Sequence, residues 1–288
     1  MHLGKRIRTL VLAGALSLAL AAPALAAGYT DLPSSHWAYD TMTKAASLGI
    51  LQGTGDGRID PSGTLSWGQF LVMLDRTFAP GSYENALATG LSWDQAGLQA
   101  ALSSGLLLPE DGLAVTDGGS LSDPVTRQDA ALLLGRVLPE GATASHSIWD
   151  FWFGTTQTAA DASTFTDWDQ MDAARQEAVA ALAQAGVVQG QTDGSFGYAD
   201  PLQRADAATL LVRVLDKVDQ EHNGEEKTVT FHFVDSTTGA AILPDQRTTA
   251  AVGYSVSSAA DTSGVGYYYD VTPYYNISTA CDEYTLLF

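Results

Sequence analysis

Apolar residues recur at helical spacing in three places along this chain. Phe70, Leu71, Leu74 and Phe78 share one face of a segment that starts near Ser66. Leu133, Leu134 and Val137 repeat the pattern after Thr126, and Leu210, Leu211, Val214 and Leu215 repeat it after Gln203. That period predicts three amphipathic helices. A shorter helical stretch precedes each one and runs into a glycine: Gly49 in G-I-L-Q-G, Gly105 in G-L-L-L-P and Gly186 in G-V-V-Q-G. Glycine at such a point adopts the left-handed conformation that a helix end favours. Trp67 follows Gly49 by eighteen residues, Arg204 follows Gly186 by eighteen, and Arg127 follows Gly105 by twenty-two. Past Val218 the period changes. Val229, Phe231 and Phe233 alternate along T-V-T-F-H-F-V-D, which predicts a strand. Thr, Val, Ser and Tyr then dominate, so the chain closes in a small β region that is marginal in size for folding alone.

The self-similar punctuation divides the chain into units at 28–80, 81–138 and 163–218. Modules of this size bury their apolar faces against one another, and a groove at one joint can recur at the next. Trp37 and Trp93 each lie twelve residues before their unit's glycine. Residues 139–162 form an insert containing S-I-W-D-F-W-F-G, whose four aromatics either pack onto the array or form a ligand patch. Residues 219–226 read as a charged linker and 227–288 as the β domain.

The first 27 residues read as a secretory signal peptide: basic M-H-L-G-K-R-I-R, an apolar run from Leu10 to Leu20, and A-P-A-L-A-A, with cleavage after Ala26 or Ala27. No later stretch is apolar enough to span a bilayer. Cleavage removes Lys5, Arg6 and Arg8 and no acid, taking the formal charge from −19 to −22. Such a charge argues against nucleic acid and anionic membranes as partners. Cys281 is the sole cysteine, so no intramolecular disulfide is possible; it reads as a small buried hydrophobe. A secreted chain without bridges fits a bacterial surface protein. The sequence holds no H-E-x-x-H, no G-x-S-x-G and no Cys–His pairing, and the histidines at 2, 36, 146, 222 and 232 have no metal spacing. The acidic turn at Asp193 lacks EF-hand spacing. Neither a cofactor nor a metal is expected.

The starts of the long helices carry the candidate chemistry. Thr126-Arg-Gln-Asp129 and Ser66-Trp-Gly-Gln69 read as capping boxes, whereas Gln203-Arg-Ala-Asp206 lacks a good cap. Capping does not explain an arginine at the first helical position of two units, where the helix dipole disfavours a cation. An arginine beside free N–H groups suits a carboxylate or phosphate.

The matching positions are Y-T-D, Trp37, Gly49, Gly53, Asp56, Gly57 and Pro61 in the first unit; Trp93, Gly105 and V-T-R-Q-D in the second; and F-T-D, Gly186, Gly190, Asp193, Gly194, Phe196 and L-Q-R-A-D in the third. In this the three units, roughly Gly28 to Val218, resemble S-layer homology repeats. The resemblance implies a mainly α fold, a pseudo-threefold helical trimer of repeats, here followed by a small β-rich C-terminal domain. It implies non-covalent attachment to secondary cell-wall polysaccharide, often pyruvylated, at the surface of a Gram-positive-type envelope. In the family, grooves lie between adjacent repeats, where the motif arginine meets the acidic ketal and an aromatic flanks the sugar. Carried over, the polysaccharide-binding residues are Arg127, Arg204, Trp37, Trp93, Thr126, Gly49, Gly105 and Gly186. Guanidinium can grip a ketal carboxylate in a two-point fork, and several grooves on one polymer gain avidity. The two tryptophans read equally as sugar stackers or as inter-repeat core. The pattern is broken by Trp67 in place of the motif arginine, by Ala174 in place of a tryptophan, and by Pro109 in place of the second glycine. At most two competent grooves are therefore expected, at Arg127 and Arg204.

The last domain resembles, over one strand and a turn, mucin-binding-type or β-grasp modules of Gram-positive surface proteins. Tyr267, Tyr268, Tyr269, Tyr274 and Tyr275 read either as a carbohydrate platform or as alternating sheet burial. Two other functions stay open on sequence: a secreted carbohydrate-active enzyme with a carboxylate pair, and a self-assembling surface-layer component.

Overall fold

The computed structural model describes residues 29–144, 159–235, 238–257 and 274–287. The aromatic insert around Trp149 and the tyrosines at 267–269 lie outside the described residues. Seven α-helices are described: α1 (Tyr39–Ser47), α2 (Trp67–Phe78), α3 (Pro80–Ala88), α4 (Trp93–Ser104), α5 (Arg127–Val137), α6 (Ala173–Gln184) and α7 (Arg204–Glu221). The three long helices predicted from the apolar period are α2, α5 and α7. Gly49, Gly105 and Gly186 sit just past α1, α4 and α6 at φ of +72°, +76° and +73°. Behind Gly49 and Gly186 the chain folds back onto the helix, Ile50 N donating to Ala45 O at 2.9 Å and Val187 N to Leu182 O at 2.8 Å. A side chain at these glycines would strain the stop.

Trp37 precedes α1, in a turn where the His36 ring accepts from Ala38 N at 3.2 Å. Helix α3, opened by Pro80 at its first turn, fills a stretch for which no helix was predicted.

The helices pair cyclically. The second helix of each unit lies on the first helix of the next: α2 on α4, α5 on α6, and α7 back on α1. Leu71, Leu74, Leu133, Leu134, Leu211, Val214 and Leu215 meet in one shared core and are all fully buried. At roughly 25 cal/mol per Å² of apolar surface, burial of this kind is the main source of cohesion among modules too small to fold alone.

A carboxylate near the start of the first and third units stitches the glycine turn in place. Asp167 accepts from the backbone N–H of Phe196 (2.7 Å), Gly197 (2.8 Å) and Tyr198 (3.1 Å). Asp31 does the same for Ile59 (2.9 Å) and Asp60 (2.8 Å). Burial pushes both pKa values up, but the backbone donors outweigh it and hold both carboxyls below the usual range. Asp167→Ala strands three amides and should cost about 3 kcal/mol. Thermal melts should show that loss at pH 7 and a shrinking difference as pH falls through the depressed native pKa; equal losses at pH 7 and pH 2 would contradict it.

The C-terminal region forms a three-stranded sheet in the order β2 (Ala241–Ala251), β1 (Glu226–Val234), β5 (Glu283–Leu287), with β1 antiparallel to β2 and parallel to β5. A two-stranded ribbon pairs β3 (Ser255–Ser257) with β4 (Tyr274–Asn276). Val229, Phe231 and Phe233 are buried, as their alternation predicts, with Ala250, Val252, Ile277 and Tyr284. The predicted linker is shorter than expected, since α7 runs on to Glu221 and β1 starts at Glu226, leaving a turn of four residues between them. Asp219 on α7 accepts from Thr279 N (2.8 Å) and Thr279 Oγ1 (2.6 Å), and Ala280 enters the helical core. The sheet is therefore seated on the end of α7.

Candidate functional site

Three extended segments, each leading into a long helix, meet at the centre of the helical body. Leu65 N donates to Leu202 O (2.9 Å), Leu202 N to Val125 O (2.9 Å), and Val125 N to Leu65 O (3.1 Å). The three bonds close a ring. It exists because Ser66, Thr126 and Gln203 are all extended at the position before their helices, with ψ of 163°, 159° and 157°.

The helix starts are capped as follows. Ser66 and Gln69 form the full capping box. Thr126 Oγ1 accepts from Asp129 N at 3.3 Å, but the Asp129 carboxylate takes the Thr126 hydroxyl and Arg175 rather than reaching back to the backbone. Gln203 provides no side-chain cap. The first two amides of each helix, expected to be free for an anion, donate instead to carbonyls of a neighbouring unit. Trp67 and Gly68 donate to Asp123 and Leu121, Arg127 and Gln128 to Asp200 and Tyr198, and Arg204 and Ala205 to Gly63 and Pro61.

The motif side chains follow the same cyclic order. Arg204 is 8% exposed and reaches into the first unit, donating from Nε to Ile59 O (2.8 Å) and from Nη2 to Gln52 O (2.7 Å). Burial presses its pKa below the ordinary guanidinium value, with Asp60, Asp31 and Tyr29 pulling the other way. Gly63 must be small here, because a Cβ would come within 3.1 Å of the Arg204 Cδ and 2.2 Å of Asp60 Oδ2. Arg127 reaches into the third unit: Nε donates to Phe196 O (3.0 Å), the guanidinium lies 5.0 Å from the Phe196 ring centre, and Nη1 is 3.7 Å from Asp206. Trp67, at the corresponding point of the first unit, is buried in the core.

Between the first and second units lies a cavity of about 360 Å³, lined by Thr64, Leu65, Ser66, Gln69, Trp93, Asp94, Leu121, Ser122 and Pro124. Trp93, the first residue of α4, is 51% exposed there. Asp94 Oδ1 accepts from Ser92 Oγ (2.5 Å) and Gln95 N (2.9 Å). The Ser92 hydroxyl, against a smaller opposing effect of burial and with help from Gln95 N, holds the Asp94 pKa below the usual range. Trp37 is 64% exposed, stacks on His36 at 5.7 Å and does not line this cavity. Gly49, Gly105 and Gly186 stand at helix ends away from it. A second cavity of about 290 Å³ is lined by residues that include Asp161, Ser163, Trp168 and Gln184.

A further arginine set was not read from the sequence. Nine residues after Trp67, Arg127 and Arg204 stand Arg76, Arg136 and Arg213. Arg136 donates to Leu106 O (2.7 Å) and grips Asp111 through both Nη atoms, and Arg213 donates to Val187 O (2.9 Å). Both carbonyls belong to the residue just after the helix-ending glycine. Arg76 instead lies over the Tyr83 ring of α3, 5.5 Å from its centre. The constant offset of nine was the available signal.

Sequence comparison matches the S-layer homology domain to residues 28–71 and 164–208. Each span takes in the aspartate that holds the glycine turn and the start of the long helix, so the chain carries two S-layer homology repeats at these positions. A cell surface protein of Thermoanaerobacter kivui is 31% identical over 110 residues, which cover 38% of this chain and 12% of that protein. The chain thus spans a small part of the length of that relative. Among the described residues no group of three or more His, Cys, Asp or Glu could hold a metal ion, and no helix is long and apolar enough to cross a membrane.

Proposed function

We propose that this chain is a non-enzymatic anchor that attaches a secreted protein to a Gram-positive-type cell wall by binding secondary cell-wall polysaccharide in grooves between its units. The observation that carries the reading is the closed ring of Leu65, Val125 and Leu202, which joins the two matched repeats to residues 81–138 on equal terms. In this reading 81–138 is a third, divergent repeat and the body is a pseudo-threefold trimer. The cyclic pairing of α2 with α4, α5 with α6 and α7 with α1 supports it.

The groove with Trp93 is the contact surface assigned first, since an indole face stacks on the apolar side of a sugar. Arg127 is assigned to a pyruvylated or otherwise acidic sugar at the joint of the second and third units, because its side chain gives a single carbonyl hydrogen bond, through Nε, and its Nη1 stands 3.7 Å from Asp206, beyond hydrogen-bond distance. Arg204, with two donors on carbonyls, enters as a residue that holds a groove wall. Thr126 and the glycines Gly49, Gly105 and Gly186 set the positions of the helix ends. Trp37 is a second stacking face outside the cavity. One such contact is weak, and several on one polymer multiply through effective concentration.

Purified protein lacking residues 1–27 is expected to sediment with polysaccharide-bearing cell walls and to stay in solution with walls stripped of that polymer. Trp93→Ala should weaken retention roughly fivefold, equivalent to about 1 kcal/mol, with helix content unchanged. Equal sedimentation with intact and stripped walls would rule the polysaccharide out.

A further inference from the structure

The cavity between the first and second units differs chemically from a site built around a motif arginine. None of its lining residues is Lys, Arg or His, and the position that carries arginine in the other two units is here the buried Trp67. Its one charged lining group is Asp94, which the Ser92 hydroxyl and Gln95 N keep ionised. A sugar carboxylate placed beside it would meet a like charge with no cation to offset it, inside a chain whose formal net charge is already −19. The rest of the lining suits hydroxyl and amide groups. Gln69 Oε1 accepts from Ser66 N, which leaves the Gln69 NH₂ as a donor, and Asp94 is an acceptor with lone pairs beyond the two bonds it takes from Ser92 and Gln95. Trp93 offers a half-exposed indole face. The volume of about 360 Å³ falls at the small end of the roughly 300–1,000 Å³ typical of small-molecule sites.

Building on the wall-binding reading above, we infer that this groove is selective for an uncharged pyranose, stacked on Trp93 and hydrogen-bonded by Gln69 and Asp94, and rejects acidic sugars. The joint bearing Arg127 and this groove then read different units of one polymer.

The test uses full-length mature protein and two probes of similar size, uncharged N,N′-diacetylchitobiose and anionic digalacturonate. Calorimetry measures affinity, and the indole N–H resonance of Trp93, assigned from the spectrum of Trp93→Phe, reports occupancy. Diacetylchitobiose is expected to shift that resonance and digalacturonate to leave it unmoved. Trp93→Ala should weaken diacetylchitobiose at least fivefold, Trp93→Phe should recover most of that loss, and Asp94→Asn should let digalacturonate shift the Trp93 signal. Digalacturonate shifting Trp93 in the wild type as strongly as diacetylchitobiose would overturn the inference. So would no response to either probe, or an unchanged affinity for diacetylchitobiose in Trp93→Ala with native helix content. The wall assay separates the two readings: selective binding of diacetylchitobiose by a protein that walls do not retain would remove the anchoring reading and keep this one.

Discussion

Arg204→Ala is expected to lower stability by about 3–5 kcal/mol, the largest loss of any single change considered. The guanidinium is almost wholly buried and carries the carbonyls of Ile59 and Gln52, both in the first unit, more than 140 residues away in sequence. Removing it strands the buried carbonyl of Ile59, takes a donor from that of Gln52, leaves a cavity beside Gly63 and loosens the contact that closes the last unit onto the first. For a body of this size the melting temperature should fall on the order of 10 °C. Arg204→Lys should recover less than half, because an ammonium cannot reproduce the spread of donors that lets one planar head reach two carbonyls. Arg127→Ala should cost less, since the Arg127 side chain gives one carbonyl hydrogen bond and a contact over Phe196. Thermal or urea unfolding ranks the three variants. A melting point for Arg204→Ala within 2 °C of wild type would mean that the ring does not depend on this residue.

Asp75 should make stability fall as pH rises. Its side chain is completely buried on α2, and neither carboxylate oxygen has a hydrogen-bond partner. A Cβ on Gly97 of α4 would lie 3.7 Å from Asp75 Oδ2, and α2, α3 and α4 form a small apolar cluster of Val72, Tyr83, Ala86, Ala96 and Ala100. Tyr83 of α3 interacts with Asp75; burial raises the Tyr83 pKa, Arg76 lowers it, and Glu84 and Asp75 raise it. Burial alone pushes the Asp75 pKa up to about 8. In the unfolded chain the group ionises near 4. The folded state therefore holds a proton that the unfolded state releases between about pH 4 and pH 8. The stabilising effect of that proton is complete below pH 4, declines through the interval, and is gone once pH passes the folded pKa. At 1.36 kcal/mol per pKa unit, the full swing is on the order of 5 kcal/mol. Asp75→Asn should flatten this part of the pH profile, and Asp75→Leu should also be more stable than wild type at pH 9. The check is unfolding free energy from pH 4 to pH 9 for the three proteins. Parallel curves would show that Asp75 does not carry the dependence.

These two residues also mark how far the sequence could be read. The arginine at the first helical position was visible as an oddity, since the helix dipole disfavours it. A ligand was the natural partner to suggest while the neighbouring amides were taken to be free. In the folded chain those amides donate to carbonyls of the next unit, and Arg204 does the same with two of its nitrogens, whereas Arg127 gives one such bond, through Nε. Asp75 gave no signal. It lies at the edge of the apolar stripe of α2, where solvent would be the default. Its burial depends on α3 and α4 covering that edge, and α3 sits in a stretch with no clear amphipathic period.

The cavity shows the same division. Trp93 was legible as an aromatic at a repeated offset from Gly105, and Trp67 as a break in the arginine pattern. Their joint meaning, a groove with an indole on one wall and no cation, needed Asp94 and Ser122 to be brought against Ser66 and Gln69. Arg76, Arg136 and Arg213 stood at a constant offset in the sequence, yet only the contacts of Arg136 and Arg213 with the carbonyls after Gly105 and Gly186 explain the spacing.

The features legible in the chain alone are local: the apolar faces of α2, α5 and α7, the glycine stops, the Ser66 and Thr126 caps, and the alternating face of β1. Each of these rests on interactions within a few residues, or on a period that one element displays alone. The cyclic order of the units, the carbonyls that Arg127 and Arg204 hold, the raised pKa of Asp75, and the seat of the sheet on α7 through Asp219 arise only on folding. Those depend on which groups meet across gaps of tens to hundreds of residues once the ring closes, and burial then sets both their hydrogen bonds and their charge.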